Sequence, residues 1–325
     1  MHTAQVAIVG GGPAGLMAAE VLSRSGVAVD LYDAMPSVGR KFLMAGKGGM
    51  NLTHSEPPDT FLARYGERRP AIEPLLKAFG PEALRDWARG LGIDTFFGSS
   101  GRVFPADMKA APLLRAWLHR LREAGVRFHM RHRWLGWDDE GALRFAAPQG
   151  EHRLRADAVV LAMGGGSWPK LGSDGAWAQL LVQRGVEVAA LRPANCGFDI
   201  GWSEHFRTRF AGHPVKPVVV SFTDAAGLVH RRQGEFVVTA TGVEGSLVYA
   251  LSAALRDGIA ARGGAGHGRE LLAQRQGVVV AEKILDRMGR GADDDGIAGA
   301  RDAQTRRLAL QLRGEIDPRH LLQVA

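Results

Sequence analysis

The sequence predicts an α/β protein: a three-layer domain built on a parallel sheet, carrying a smaller, mostly β insert. Three observations predict it. Val6 to Val9 run straight into Gly10-Gly11-Gly12-Pro13-Ala14-Gly15 and an apolar stretch, Leu16 to Leu22, which reads as strand, tight turn and helix. A second β-branched segment, Val27 to Tyr32, ends on an acid, Asp33, 18 residues beyond Gly15. Much later, Val215–Asp224 and Gly234–Ala240 alternate or are β-branched, as the strands of an antiparallel insert would be.

Taken in order, the first unit has the chemistry of a dinucleotide site. Gly10 permits a sharp turn, Gly12 lets backbone approach a pyrophosphate, and Gly15 lets the helix pack closely on its strand. Pro13 and Ala14 open that helix, whose N-terminus attracts phosphates. Ser25-Gly26 suits its end. Asp33 suits the ribose hydroxyls of an adenine dinucleotide and repels a 2′-phosphate, which disfavours NADP here. Residues 6–22 are almost continuously apolar, but three glycines, a proline and a start without a basic region fit a buried βα unit better than a signal peptide or a membrane span.

Past Asp33 a nicotinamide-binding domain would return to another βα unit. Residues 34–55 form instead a glycine-rich, cationic loop with Arg40, Lys41, Lys47 and Asn51. Such a loop lays N–H groups and cations against a pyrophosphate or an electron-rich flavin ring, which points to FAD. Glu73–Leu91 and Ala111–Ala124 carry apolar residues at helical spacing; Val126–Trp137 reads as a strand, and Leu154–Met163 as a buried strand leading into Gly164-Gly165-Gly166. His129 and His132 fall in that first strand, where a spacing of three points them to opposite faces, so no metal site is expected. The expected division is a cofactor domain over 1–190, an insert over 191–262 and a tail over 263–325 with helices at Val278–Met288 and Ala303–Leu312.

Residues 39–53, with Gly39-Arg40-Lys41, the glycine loop and Asn51-Leu52-Thr53, resemble a signature of the BaiN-like flavoproteins, also known as the aminoacetone oxidase family. Gly101-Arg102-Val103-Phe104-Pro105 with Lys109-Ala110, Val159 to Pro169 with Gly172-Ser173-Asp174-Gly175, and Thr239 to Ser252 resemble three further blocks, in the family's order. The resemblance implies a Rossmann-like FAD-binding domain of the glutathione-reductase type, with the backbone around Arg133-Trp134 reaching the adenine and the turn at Gly164-Gly165 approaching the dinucleotide again. It also implies hydride transfer between the flavin and a carbon conjugated to a carbonyl, in a small enone or in the uracil ring of RNA. Two departures matter. Met50 stands where the family commonly has cysteine, and the closing motif usual after the insert is not found beyond residue 260. A truncated or frame-shifted chain and a divergent branch both account for that.

Composition bounds the rest. With 325 residues, 46% hydrophobic and 23% charged, the chain supports two domains with real cores. Its one cysteine, Cys196, excludes an internal disulfide and the dithiol relay of disulfide reductases, and suits the cytoplasm. A net charge of +7 favours anionic partners and leaves RNA among them, although 34 of the 41 basic residues are arginine, as a GC-rich coding sequence produces. GxSxG, HExxH, Walker A and CxxC patterns do not occur, and neither does a second nucleotide-binding glycine motif. NADH or NADPH would therefore act as a transient electron donor, docking where the substrate later binds. Reduction of a conjugated bond also needs a proton donor, for which Lys47, His54, Lys170 and Tyr249 are the polar candidates. The competing expectation is a dinucleotide-binding remnant without catalysis.

Overall fold

The computed structural model describes residues 4–45, 48–200, 202–224, 227–261 and 279–280. It divides into two compact units, Met1–Leu191 and Arg192–Ala325.

In the first unit, β1 (Gln5–Val9), α1 (Pro13–Arg24) and β2 (Ala28–Asp33) form the opening βα unit. Ser25 caps α1 and Gly26, at φ +76°, turns the chain into β2. A block of short elements follows: α2 (Arg40–Ala45), β3 (Thr53–His54), α3 (Pro58–Ala63), α4 (Arg69–Ala78), α5 (Pro81–Gly90), β4 (Thr95–Phe97) and β5 (Arg102–Pro105). Where one helix was expected over Glu73–Leu91 there are two, because Gly80 leaves the helical region and Pro81 starts a new first turn without needing an N–H bond. Helix α6 (Ala110–Glu123) then leads to β6 (Arg127–Met130).

The strand expected over Val126–Trp137 is also two. Arg131 takes φ +62°, which ends β6 in the parallel sheet and sends β7 (Arg133–Trp137) into an antiparallel meander with β8 (Leu143–Ala147) and β9 (Gly150–Leu154). The same turn overturns the expectation for the histidines. The rings of His129 and His132 both lie against Tyr32, at centroid distances of 4.4 and 5.7 Å, because His132 is no longer in register with β6.

β10 (Ala158–Leu161) completes a four-stranded parallel sheet of order β10-β1-β2-β6. Expected to be buried, β10 is instead a half-exposed edge strand, and among the described residues it pairs only with β1. One sheet face packs Ile8, Val29 and Leu31 on Leu16, Leu113 and Leu121 of the helices. The other packs Val9 and Tyr32 on Trp134 and Phe145 of the meander. Apolar side chains on both faces are what a parallel sheet between two layers requires. Helix α7 (Trp177–Val182) closes the unit.

The second unit wraps α8 (Glu204–Phe210) and α9 (Ser246–Ala261) on a sheet of order β11-β14-β13-β12-β15: β11 (Phe198–Asp199), β12 (Pro214–Thr223), β13 (Val229–Val238), β14 (Gly242–Glu244) and β15 (Val279–Val280). Phe206, Phe210, Val215, Val218 and Val238 form its core. Val279–Val280 is strand, paired antiparallel with Val220 and Ser221, where a helix was expected. Pairing with β12 satisfies its backbone in the ladder, and its β-branched residues favour that geometry. The rest of that segment and the helix expected at Ala303–Leu312 lie outside the described residues.

Candidate functional site

At the carboxyl ends of β1, β2 and β10 the first unit holds a cavity of about 700 Å³, within the range of small-molecule and cofactor sites. Its floor is the glycine turn. Gly10 has φ +108°, and a Cβ there would stand 2.3 Å from the carbonyl oxygen of Ala162. A Cβ at Gly15 would stand 1.9 Å from the carbonyl oxygen of Gly10, so the first turn of α1 presses directly on the turn below it. Gly12 differs: nothing lies within 4 Å of its added Cβ, and its φ of −80° suits any residue. Gly12 caps α1 without a side chain, and no acid sits in the first turn. Ala14 and Gly15 thus offer the amide N–H groups that a helix start leaves without intrahelical partners.

Asp33 closes one side. Its Oδ2 accepts the N–H of Gly11 at 2.7 Å and its Oδ1 the N–H of Met35 at 2.7 Å. Burial pushes its carboxyl above the usual range, and those two amides and the charge of Arg40 offset only part of the shift. Arg40 begins α2 on the cavity wall, and its buried Nε has no protein acceptor. A buried guanidinium N–H left over in this way fits an anionic ligand, because an unmade hydrogen bond costs about 1–3 kcal/mol. Lys41, also on the wall, donates from Nζ to Ser167 Oγ at 2.6 Å.

Of the residues singled out from sequence, Gly10, Gly12, Pro13, Asp33, Arg40, Lys41, Asn51, Trp134 and Gly164 line this cavity. Ala14 and Gly15 sit in the α1 turn beneath it, and the Gly165 carbonyl accepts the Ser173 hydroxyl at 2.7 Å. The candidate proton donors do not gather there. His54 pairs its ring with the Ser100 carbonyl at 3.0 Å, on the sheet formed by β3, β5 and β4. Lys170 lies in a single turn, Pro169–Leu171, of which only Leu171 lines the wall. Tyr249 is in α9 of the second unit, and Lys47 lies outside the described residues.

Among the wall residues that sequence reasoning did not single out, four bear on the shape of the cavity. Gly11 has no room for a side chain, since a Cβ would meet Val38 at 2.3 Å and Asp33 at 2.9 Å. Met35, two residues past the acid, and Trp87 and Trp117 of the helical layer also line the cavity, the two indoles in edge contact at 4.8 Å. Only Gly11 had a local signal, as part of the glycine run. Tyr32 forms an aromatic wall with Phe145, and burial and the charge of Asp30 push its phenol up to about 12, so it stays neutral. Among the described residues, no group of three or more histidine, cysteine or acidic side chains is placed to hold a metal ion, and no helix is long and apolar enough to cross a membrane.

The chain is 29% identical over 266 residues to the 3-dehydro-bile acid delta(4,6)-reductase of Clostridium scindens, covering 78% of this chain and 61% of that protein. It is 24% identical over 209 residues to the ribosomal RNA dihydrouridine synthase of Haemophilus influenzae, covering 63% of this chain and 51% of that one. The matched part therefore spans little more than half the length of these relatives. Among solved structures, the open conformation of a flavocytochrome c3 fumarate reductase superposes with a TM-score of 0.50 at 20% identity, covering 69% of this chain and 48% of that chain, a likeness of fold. The sequence profile described as "HI0933-like protein Rossmann domain" matches residues 4–283, most of the chain. The chain belongs to the HI0933-like family of FAD-binding Rossmann proteins.

Proposed function

We propose that this protein binds FAD in the cavity of the first unit and acts as an oxidoreductase on a carbon–carbon double bond conjugated to a carbonyl. The observation that carries the reading is the conjunction, on one cavity, of an uncapped helix start, a half-buried carboxylate and a buried arginine Nε without an acceptor. These three suit, in turn, a pyrophosphate, ribose hydroxyls and a further acceptor on the same anion. In this reading Gly10, Gly12, Pro13, Ala14 and Gly15 hold the pyrophosphate with Arg40, while Asp33 holds the adenosine ribose. Trp134 lies at the adenine end, and Lys41, Asn51, Gly164 and Gly165 complete the walls.

Bound FAD supplies a carrier that takes or gives a hydride at N5. The chain's own part is to bind, orient and exclude water. The aromatic and aliphatic walls lower the local dielectric, which strengthens the hydrogen bonds of Asp33 and Arg40. Among the described residues, none of the candidate acids from sequence lines the cavity, so the proton for a reduction is assigned to no side chain. The names of the two curated relatives support an activated double bond as the substrate feature, in a steroid-like enone or in a uracil of RNA. NADH or NADPH is the proposed electron donor.

The test is an absorbance spectrum of the purified chain before and after incubation with FAD and desalting. Flavin bands retained near one per chain are the expected result. Anaerobic bleaching by NADH or NADPH, and reoxidation by an enone or by uracil-containing RNA, then identify donor and substrate class. A colourless protein that takes up no flavin would support the remnant reading instead.

A further inference from the structure

One wall of the cavity, residues 164–175, is held at its Gly164 end by Trp177, whose Nε1 donates to the Gly164 carbonyl at 3.0 Å, and is joined to Met35, Lys41 and Arg133 at three further points. Lys41 Nζ donates to Ser167 Oγ at 2.6 Å, and Arg133 Nη1 donates to Asp174 Oδ2 at 3.3 Å. Gly172 lies so close to the β2–α2 connection that a Cβ there would stand 2.7 Å from Met35 Cγ. The segment is also tied to itself. Trp168 and Ser173 exchange backbone hydrogen bonds at 3.0 and 3.1 Å, and the Ser173 hydroxyl donates to the Gly165 carbonyl at 2.7 Å. The segment is thus braced internally, and its two ends, Gly164 and Gly175, both have φ +72°, backbone that glycine adopts without strain. Leu171 to Asp174 line the cavity from this segment, and Met35 and Lys41 line it from the facing wall.

The three further attachments differ in kind from the layer beneath. Two are polar contacts at exposed side chains and the third is one glycine against one methionine, and such contacts contribute little individually. The strands under the cavity are held instead by continuous parallel ladders and two apolar layers. Local opening follows the weaker set.

We propose that residues 164–175 are a latch across the dinucleotide cavity, which must swing away from Met35 and Lys41 before the cofactor enters or leaves. This rests on the FAD reading above. The latch governs the rates of exchange more than the affinity, because opening is shared by entry and exit.

Met35→Cys with Gly172→Cys, in a Cys196→Ala background, tests it, since the 2.7 Å approach puts the two Cβ atoms within the roughly 3.5–4.5 Å that a disulfide spans. FAD-loaded protein is oxidised, the crosslink is verified by mass, and release into buffer is followed by the recovery of flavin fluorescence. The oxidised form is expected to release FAD at least tenfold more slowly than the same protein reduced, and the oxidised apoprotein to take it up correspondingly slowly. Ser167→Ala and Asp174→Asn are expected to speed both directions severalfold while Kd moves less than either rate. Equal release from oxidised and reduced forms overturns the latch and leaves the cofactor reading standing, as do unchanged rates in both single variants. Wild-type protein that retains no flavin overturns both together.

Discussion

Gly12 and Gly15 stand three residues apart and make opposite demands on a side chain. A valine at 12 meets open space on ordinary backbone, so Gly12→Val is expected to leave stability within about 1 kcal/mol and to weaken flavin binding at least about 100-fold, read from melting and from flavin titration. An alanine at 15 collides with the Gly10 carbonyl, so Gly15→Ala is expected to cost about 3 kcal/mol in a urea midpoint before binding is considered. Asp33 adds a pH signature. Because burial raises its carboxyl, its contribution to stability is present below the ordinary carboxylate value of about 4 and fades as pH rises through the raised one. Binding runs the other way, since the ionised form is the better acceptor for ribose hydroxyls. Flavin affinity is expected to fall as pH drops through that raised value, with a step in Kd above the ordinary carboxylate value that Asp33→Asn lacks. The placement of Gly12 and Asp33 on the cavity, with Gly15 beneath it, was legible because glycines and an acid at fixed spacing have few other uses. The commitments of His54 to Ser100 and of Lys41 to Ser167 were not legible, because each partner comes from a distant stretch of chain.

At the scale of elements, the inserted helices are tied to the cofactor layer through Glu20 of α1. Its buried carboxylate accepts Trp87 Nε1 of α5 at 3.0 Å and Arg120 Nη1 of α6 at 2.9 Å, with Arg24 beside it. Burial pushes this carboxyl up, but the hydrogen bonds of Trp87 and Arg120 and the charges of Arg24 and Arg120 outweigh it and hold it below the usual range. A lowered value contributes stability above an ordinary glutamate value of about 4.3 that is lost as pH falls through the folded one. Glu20→Ala leaves two part-buried donors without an acceptor and Arg24 without its ion pair, and the expected loss is about 2 kcal/mol at neutral pH, narrowing in acid, measured by urea unfolding. Periodicity found these helices but not their ends, since Gly80-Pro81 interrupts an apolar pattern that continues across it. The meander was merged with β6 for a related reason. Arg131, in left-handed backbone, carries no sequence mark of a turn, and only the packing of β7 on the sheet face demands one.

For the whole molecule, the layered fold followed from a short stretch at the N-terminus, because strand, glycine turn, helix and second strand together leave one way to bury both faces of a parallel sheet. The position of each strand in that sheet was a different matter. β10 has the unbroken apolar sequence Ala158-Val159-Val160-Leu161 of a strand enclosed between neighbours, yet it stands at the margin of the order β10-β1-β2-β6. It carries none of the charges or prolines with which proteins commonly blunt a margin, and its side chains are half-exposed. Among the described residues its outer edge has no strand partner, and in a concentrated solution such a margin is adhesive, because it templates strands from other molecules, whatever their identity. Light scattering is therefore expected to rise with concentration at low denaturant, and Ala158→Lys, at the exposed start of the strand, is expected to delay its onset without changing the unfolding midpoint by more than about 0.5 kcal/mol. Handling of the purified protein, from expression yield to shelf life, then depends on four residues remote from the glycine turn.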